Sequence, residues 1–286
     1  MTAISLVQQQ PRPMEARPGP AAAMTTGLAG IAILGGLAPA ELATLARRCR
    51  WRRYGAGQTI LQYGDSGRDV YFVVHGRACA MYHSASGREV RFGDLHAGAV
   101  FGEFAAIDGA PHMADVVCVT DALVAAMPAE LFREVLHRHA TVCAAVLCRL
   151  TGIARTMSRR VIEFSTLPVR HRIHAELLRL ARSDTSGQQR RTAAIAPAPT
   201  HAEIASRIST HREAVSRELA DLTRHGVIER RGSDLIVHDV RALARMVEEA
   251  LEEPSDEADA GLRPGVHRAD SPRNRSGARC SEAHPF

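Results

Sequence analysis

A chain of 286 residues with 45% hydrophobic side chains is long enough to build two domains with cores of their own. The formal net charge of +5 favours an acidic partner such as nucleic acid, and all 36 basic residues are arginine, whose planar forks suit phosphate and guanine. Cysteines at 49, 79, 118, 143, 148 and 280 make no C-x-x-C pair and no zinc-type spacing, which excludes a disulfide scaffold and points to reduced thiols of a cytoplasmic protein.

In chain order, residues 1–26 are rich in Gln, Pro and Ala and are expected to form a disordered tail. Thr25 to Ala40 imitates a signal peptide, but Gly27, Gly30, Gly35 and Gly36 dilute it, and it is too short to cross about 30 Å of hydrocarbon, so no membrane segment is expected. From Trp51 to Met127, frequent turn signals such as Tyr63-Gly64-Asp65, His75-Gly76 and Asp108-Gly109-Ala110-Pro111 cut the chain into short strands of a sandwich or barrel. Asp69 to Val74 and Ala114 to Val119 are its buried-strand candidates.

Pro128 opens a helix over Ala129 to His137. A longer one follows, with Val142, Val146, Leu150, Ile153, Met157, Val161 and Phe164 at spacings of three and four. Such a stripe either packs on its own domain or pairs with a twin; a helix this long beside a compact sheet favours a parallel coiled-coil seam and a homodimer. Pro168 ends it, Val169 to Arg182 makes another helix, and Ser183 to Pro199 reads as a loop. From about Glu252 the composition again predicts a disordered tail.

Thr200-His-Ala-Glu203 and Thr210-His-Arg-Glu213 are capping-box patterns ten residues apart, which predict two successive helix starts. At 100° per residue, Val215, Leu219 and Leu222 fall on one side of the second helix, and Glu213, Arg217, Ala220 and Arg224 on the other. Val227 to Arg231 and Asp234 to Val237, joined by Gly232-Ser233, read as a two-stranded wing. Short helix, tight turn, second helix and wing, in that order, make a winged helix-turn-helix. Arginine can donate twice to guanine and glutamate can accept from cytosine, so Arg217 and Glu213 are the favoured base readers. A Glu213 folded back as a cap could not reach a base at the same time.

The second helix resembles the recognition helix of the cyclic-AMP receptor and fumarate-nitrate regulator (CRP/FNR) family, Arg-Glu-x-x-x-Arg, here Arg212-Glu213-Ala-Val-Ser-Arg217. The stretch Gly98 to Ala106 followed by Pro111-His112-Met113-Ala114 resembles the same family's phosphate-binding cassette. The resemblance runs from about Leu34 to Val240 and implies an α+β protein: a cyclic-nucleotide-binding-type, jelly-roll-like β-roll at 27–127, a helix and long dimerisation helix at 128–167, a winged helix-turn-helix at 168–240, and at 241–286 a short helix and tail. It implies base reading by Arg212, Glu213 and Arg217, with Thr200, His211, Ser216 and Arg224 on the DNA backbone or flank.

The family's cassette glutamate binds a ribose hydroxyl and its arginine neutralises a cyclic phosphate. Here Glu103 remains and His112 replaces the arginine, which argues against cyclic AMP because a neutral imidazole offers one donor and no charge. An effector pocket would comprise Gly102, Glu103, Phe104, Ala105, His112, Met113 and Ser158. It is a weakened nucleotide site, a site for another small molecule, or a structural remnant.

The expected function is a dimeric, sequence-specific regulator of transcription acting on a palindromic operator in double-stranded DNA, with RNA polymerase as a further partner and no catalysis or metal site. The alternative is a cyclic-nucleotide or small-ligand binding module whose C-terminal helices contact protein rather than DNA.

Overall fold

The computed structural model describes residues 27–84, 89–183 and 191–252, so the two expected tails lie outside the described residues. After a 3-10 turn at Ala32–Leu34, helix α1 (Pro39–Arg48) starts with proline in its first turn, and the Glu41 carboxylate accepts the Ala38 N–H at 3.0 Å. Sequence reading did not separate this helix from the glycine-rich stretch before it.

Eight strands follow: β1 (Arg50–Tyr54), β2 (Thr59–Leu61), β3 (Val70–His75), β4 (Arg77–His83), β5 (Glu89–His96), β6 (Val100–Phe101), β7 (Asp115–Cys118) and β8 (Ala122–Met127). They form two antiparallel sheets, β1-β8-β3-β6 and β2-β7-β4-β5, with the six-residue helix α2 (Glu103–Asp108) between β6 and β7. Strand β3 explains the layering, because alternate side chains point to opposite faces. Val70 and Phe72 enter a core shared with α1 and the helices after β8, whereas Val73 enters the core between the two sheets. The β3–β4 turn requires Gly76, since at φ +84° an added Cβ would lie 2.1 Å from the Asp121 carbonyl oxygen.

Helix α3 (Ala129–Arg138) and the 27-residue α4 (Ala140–Thr166) come next. Here the predicted seam needs correction. Val142 and Val146 are buried in the chain's own core with Leu150 packed beside them, because this flank of α4 lies on the β-roll. The face left open carries Ala144, Leu147, Thr151, Ala154, Ser158, Val161 and Ser165, all exposed and spaced alternately three and four apart. By length and apolarity α4 could also cross a membrane, contrary to the sequence reading. Its Val142–Leu150 flank and the contacts of Arg149 and Arg160 with β-roll residues assign that apolarity to packing.

Pro168 separates α4 from α5 (Val169–Ser183). The C-terminal unit then adds β9 (Ala193–Ile195), α6 (His201–Arg207), α7 (Arg212–Arg224), β10 (Ile228–Arg231), β11 (Asp234–Val237) and α8 (Val240–Glu252). The stretch expected to be all loop contains β9, which pairs antiparallel with β11 and extends the wing to three strands, β10-β11-β9. Ile173, Leu177, Ile204, Val215, Leu219, Leu222, Ile228 and Leu243 close one apolar core drawn wholly from this unit.

Candidate nucleic-acid interface and sensory pocket

Helix α6 begins at a true capping box. Thr200 accepts the Glu203 N–H at 3.2 Å, and the Glu203 carboxylate accepts the Thr200 N–H at 2.7 Å. The turn after α6 is closed by Ser209 in the left-handed region, φ 52°, and by the Thr210 N–H donating to the Ala205 carbonyl at 3.0 Å. The second predicted box does not form: the residue preceding α7 is His211, without a side-chain cap, and the helix opens at Arg212. Thr210 is held by the turn instead. Glu213 is therefore not folded back, which removes the conflict between capping and base reading.

On α7, Val215, Leu219 and Leu222 are buried, while Arg212, Glu213, Arg217, Ala220 and Arg224 are exposed. All three predicted base readers are exposed, Glu213 and Arg217 on the outward face and Arg212 at its flank in the first turn, with exposed His211 at the helix entrance. Ser216 is half-buried and bonded to Nδ1 of His201 at 2.7 Å, so it joins the two helices, and Arg224 pairs with Asp221 at 3.0 Å. Burial, reinforced by the nearby Arg212 and Arg230 guanidiniums, pushes the His201 pKa down. Arg230, exposed on the wing, is a cation near His201 at the start of α6 that the linear pattern did not single out.

In the β-roll, Gly102 has φ +82°, and an added Cβ would sit 2.6 Å from the Asp69 carbonyl oxygen and 3.5 Å from Cε1 of His112. Glu103 is 3% exposed, with its Oε1 accepting from Nε of Arg149 at 3.1 Å; Arg149 also donates to the Val100 carbonyl at 2.5 Å. His112 is 5% exposed, its Nε2 has no hydrogen-bond partner among the described residues, and burial pushes its pKa down. The cassette therefore holds a neutral imidazole where the family pattern has a cation; of the guanidiniums around its short helix, Arg149 is committed to Glu103, Arg133 donates to the Ala106 carbonyl at 3.3 Å, and Arg68 lies beside Gly109.

Gly102, Glu103, buried Ala105 and His112 come together; Met113 and Phe104 are exposed. Ser158 is exposed and nine residues beyond Arg149, about 13 Å along the helix, so within one chain it does not join Glu103. Arg149 was missed because its partner is 46 residues away in sequence.

Residues 51–139 match the model of the cyclic nucleotide-binding domain, and residues 171–246 match that of the Crp-like helix-turn-helix domain. A transcriptional regulator of Thermus thermophilus, LdrP, is 31% identical over 206 residues, 70% of this chain and 98% of that protein. The chain belongs to the CRP/FNR family. Another CRP/FNR member, the CRP-like cAMP-activated global transcriptional regulator of Mycobacterium tuberculosis, is 24% identical over 76% of this chain and 97% of its own length. A solved structure of a CRP-family transcriptional regulator from Thermus thermophilus superposes with a TM-score of 0.55 at 28% identity, covering 70% of this chain and 98% of that one.

The DNA-reading unit of this CRP/FNR member carries a buried titratable pair. His174 is 1% exposed, with Nε2 2.6 Å from Glu218 Oε1. Burial outweighs the carboxylate and holds the His174 pKa below its ordinary value. A histidine whose folded pKa is depressed favours the fold above its unfolded pKa, and that contribution is lost as pH falls through about 6.5, because the unfolded chain takes up the proton first. Urea unfolding at pH 7.5 and 5.5 is expected to give a lower midpoint at 5.5, with a smaller difference in His174→Gln; equal differences in both proteins would assign the acid sensitivity elsewhere.

Proposed function

We propose that the chain acts as a homodimeric, sequence-specific regulator of transcription in the cytoplasm. Arg212, Glu213 and Arg217 read base edges in the major groove, while Thr200, His211, Ser216 and Arg224, together with Arg230, serve the backbone or flank. The observation that carries this reading is the division of α7, with its apolar residues sealed in the domain core and Arg212, Glu213 and Arg217 exposed together. The alternative, a binding module using its C-terminal helices for protein contacts, has no matching observation.

The exposed face of α4 supplies the dimer seam. Leu147 and Val161 are 58% and 63% exposed, and with Ala144, Thr151, Ala154, Ser158 and Ser165 they repeat every seven residues, the period that keeps two parallel helices in register. Replacing Leu147 and Val161 together with glutamate is expected to yield monomers in sedimentation analysis and to abolish palindrome binding. A dimer that survived both changes would put the seam elsewhere.

We assign the domains as a β-roll at 27–127, dimerisation helices at 128–167 and a winged helix-turn-helix at 168–240. The β-roll acts on DNA binding through a small effector other than cyclic AMP. Three features support the exclusion: a neutral His112, a Glu103 engaged by Arg149, and the exposed thioether of Met113. Contact with RNA polymerase follows as the route from operator binding to transcription.

The test is fluorescence-anisotropy selection from a randomised palindromic duplex pool at two salt concentrations, with and without cyclic AMP. Selection of one palindrome, a steep salt slope from counterion release and no response to cyclic AMP are expected. A flat slope without sequence preference would overturn the DNA reading, and a cyclic-AMP response would overturn the effector reading.

A further inference from the structure

The β-roll and the DNA-reading unit have separate apolar cores, with no cluster of buried hydrophobic residues shared between β5 and α6 among the described residues. Charge joins them instead. Arg91 of β5 donates to Glu203 Oε1 at 2.9 Å and to Asp94 Oδ1 at 2.6 Å; the other Asp94 oxygen accepts from Arg207 of α6. Arg207 reaches Glu176 at 3.4 Å, and Glu176 in turn faces Arg160 at 3.9 Å and Arg179, which bonds Glu163 at 2.6 Å. At the outer end, the Ser206 hydroxyl donates to Glu89 at 3.0 Å.

Arg91, Arg160, Arg179 and Arg207 thus alternate with Glu203, Asp94, Glu176 and Glu163, and the charges balance. The inner rungs are dry, with the Arg91, Arg160 and Arg207 side chains 8%, 9% and 8% exposed and Glu176 fully buried, whereas Asp94, Arg179 and Glu203 are 26%, 29% and 36% exposed. Burial pushes the Asp94 carboxyl up, but Arg207 and Arg91 outweigh it and hold it below its ordinary range.

Two features make the junction separable rather than a fused core. Strand β5 is the edge of its sheet, and α6 covers that edge. Beside the ladder lies a cavity of about 180 Å³ bounded by Arg77, Arg91, Asp94, His96, Glu203 and Arg207, so water reaches one flank. Glu203 is also the carboxylate that caps α6 through Thr200, so Arg91 grips the first turn of the helix-turn-helix itself.

We propose that this ladder is a latch that positions the DNA-reading domain on the β-roll of its own chain, with Arg91, Asp94 and Arg207 as positioning residues. The latch rests on the regulator reading only for its effect on DNA; its closure is a property of the free protein. Opening it frees α6 from β5 and lets the recognition helix take another angle.

The test is hydrogen exchange by mass spectrometry on the full chain, compared with Asp94→Asn and with the charge-keeping Asp94→Glu, followed by binding to the selected palindrome. In Asp94→Asn, amides of 89–96 and 201–207 are expected to exchange at least tenfold faster while those of β8 and α3 are unchanged, and Asp94→Glu should stay within about twofold of wild type. Because Asp94→Asn leaves Arg207 short of a partner and could unfold the domain, the same segments are followed in wild type between 0.1 and 1 M sodium chloride, where they are expected to accelerate selectively. Operator affinity in Asp94→Asn should change at least tenfold. A rise marks the closed latch as the off state and a fall as the on state.

Unchanged exchange in both the variant and high salt would overturn the latch. Faster exchange with unchanged operator affinity would overturn the positioning role and leave a docking contact. If wild type selects no duplex, the regulator reading fails while the exchange result still decides whether the latch exists.

Discussion

Arg217→Ala is expected to abolish palindrome selection while leaving the fold and non-specific duplex binding close to wild type. Arg217 is exposed on α7, opposite buried Val215, Leu219 and Leu222, so its removal costs no packing. A bidentate arginine–guanine pair is worth about 1–3 kcal/mol of discrimination, and a dimer loses it at both half-sites, about 2–6 kcal/mol together, which amounts to roughly a thirtyfold to twenty-thousandfold loss of specificity. Anisotropy with the selected palindrome and a scrambled duplex measures it. If Arg217→Ala retains the wild-type preference at the same base position, another residue reads that base.

Glu176→Ala is expected to destabilise the chain by about 3–5 kcal/mol, because it leaves buried guanidiniums without their carboxylate. Glu176 is fully buried and faces Arg160, Arg179 and Arg207 at once. Burial already pushes the Arg160 guanidinium down, with Glu176 as the first opposing influence. For a chain of this size the thermal midpoint should fall on the order of 10 °C. Calorimetry of wild type and variant decides; a loss under about 1 kcal/mol would mean that water enters and solvates the freed arginines.

Local signals carried most of the fold. The turn signals at Tyr63-Gly64-Asp65 and His75-Gly76 bound real strands, and the 3.6-residue period assigned Val215, Leu219 and Leu222 to the core they occupy. On α4 the predicted stripe divides: Val142 and Val146 meet the β-roll, whereas Val161 and Phe164 at its far end are exposed and Val161 joins Leu147 on the open face; spacing alone cannot say which part of a stripe finds a neighbour within the chain. The expected Thr210 cap does not form because a Thr-x-x-Glu pattern fixes chemistry but not the turn before it, and Ser209 at φ 52° starts the helix one residue later.

What remained illegible depends on distance along the chain. Arg149 and Glu103, Arg91 and Glu203, and Asp94 and Arg207 are separated by 46, 112 and 113 residues, and any arginine in this composition looks equally free. The arginine-to-histidine exchange at 112 was readable because it breaks a pattern; the rerouting of Glu103 to Arg149 was not.

Strand β9 precedes the helix-turn-helix in sequence yet pairs with β11, which follows it: Ala193 lies opposite Val237 and Ile195 opposite Leu235. Both helices of the reading head are therefore tied inside a loop whose ends are fastened by backbone hydrogen bonds, and the closure entropy for that loop is recovered only when the last strand docks. A fragment cut after α7 would keep all three proposed base readers and lose the strand pairing that encloses them. The smallest portable reader in this protein consequently runs from β9 to β11 and beyond, and grafting Arg212, Glu213 and Arg217 onto another scaffold would carry the chemistry without its frame.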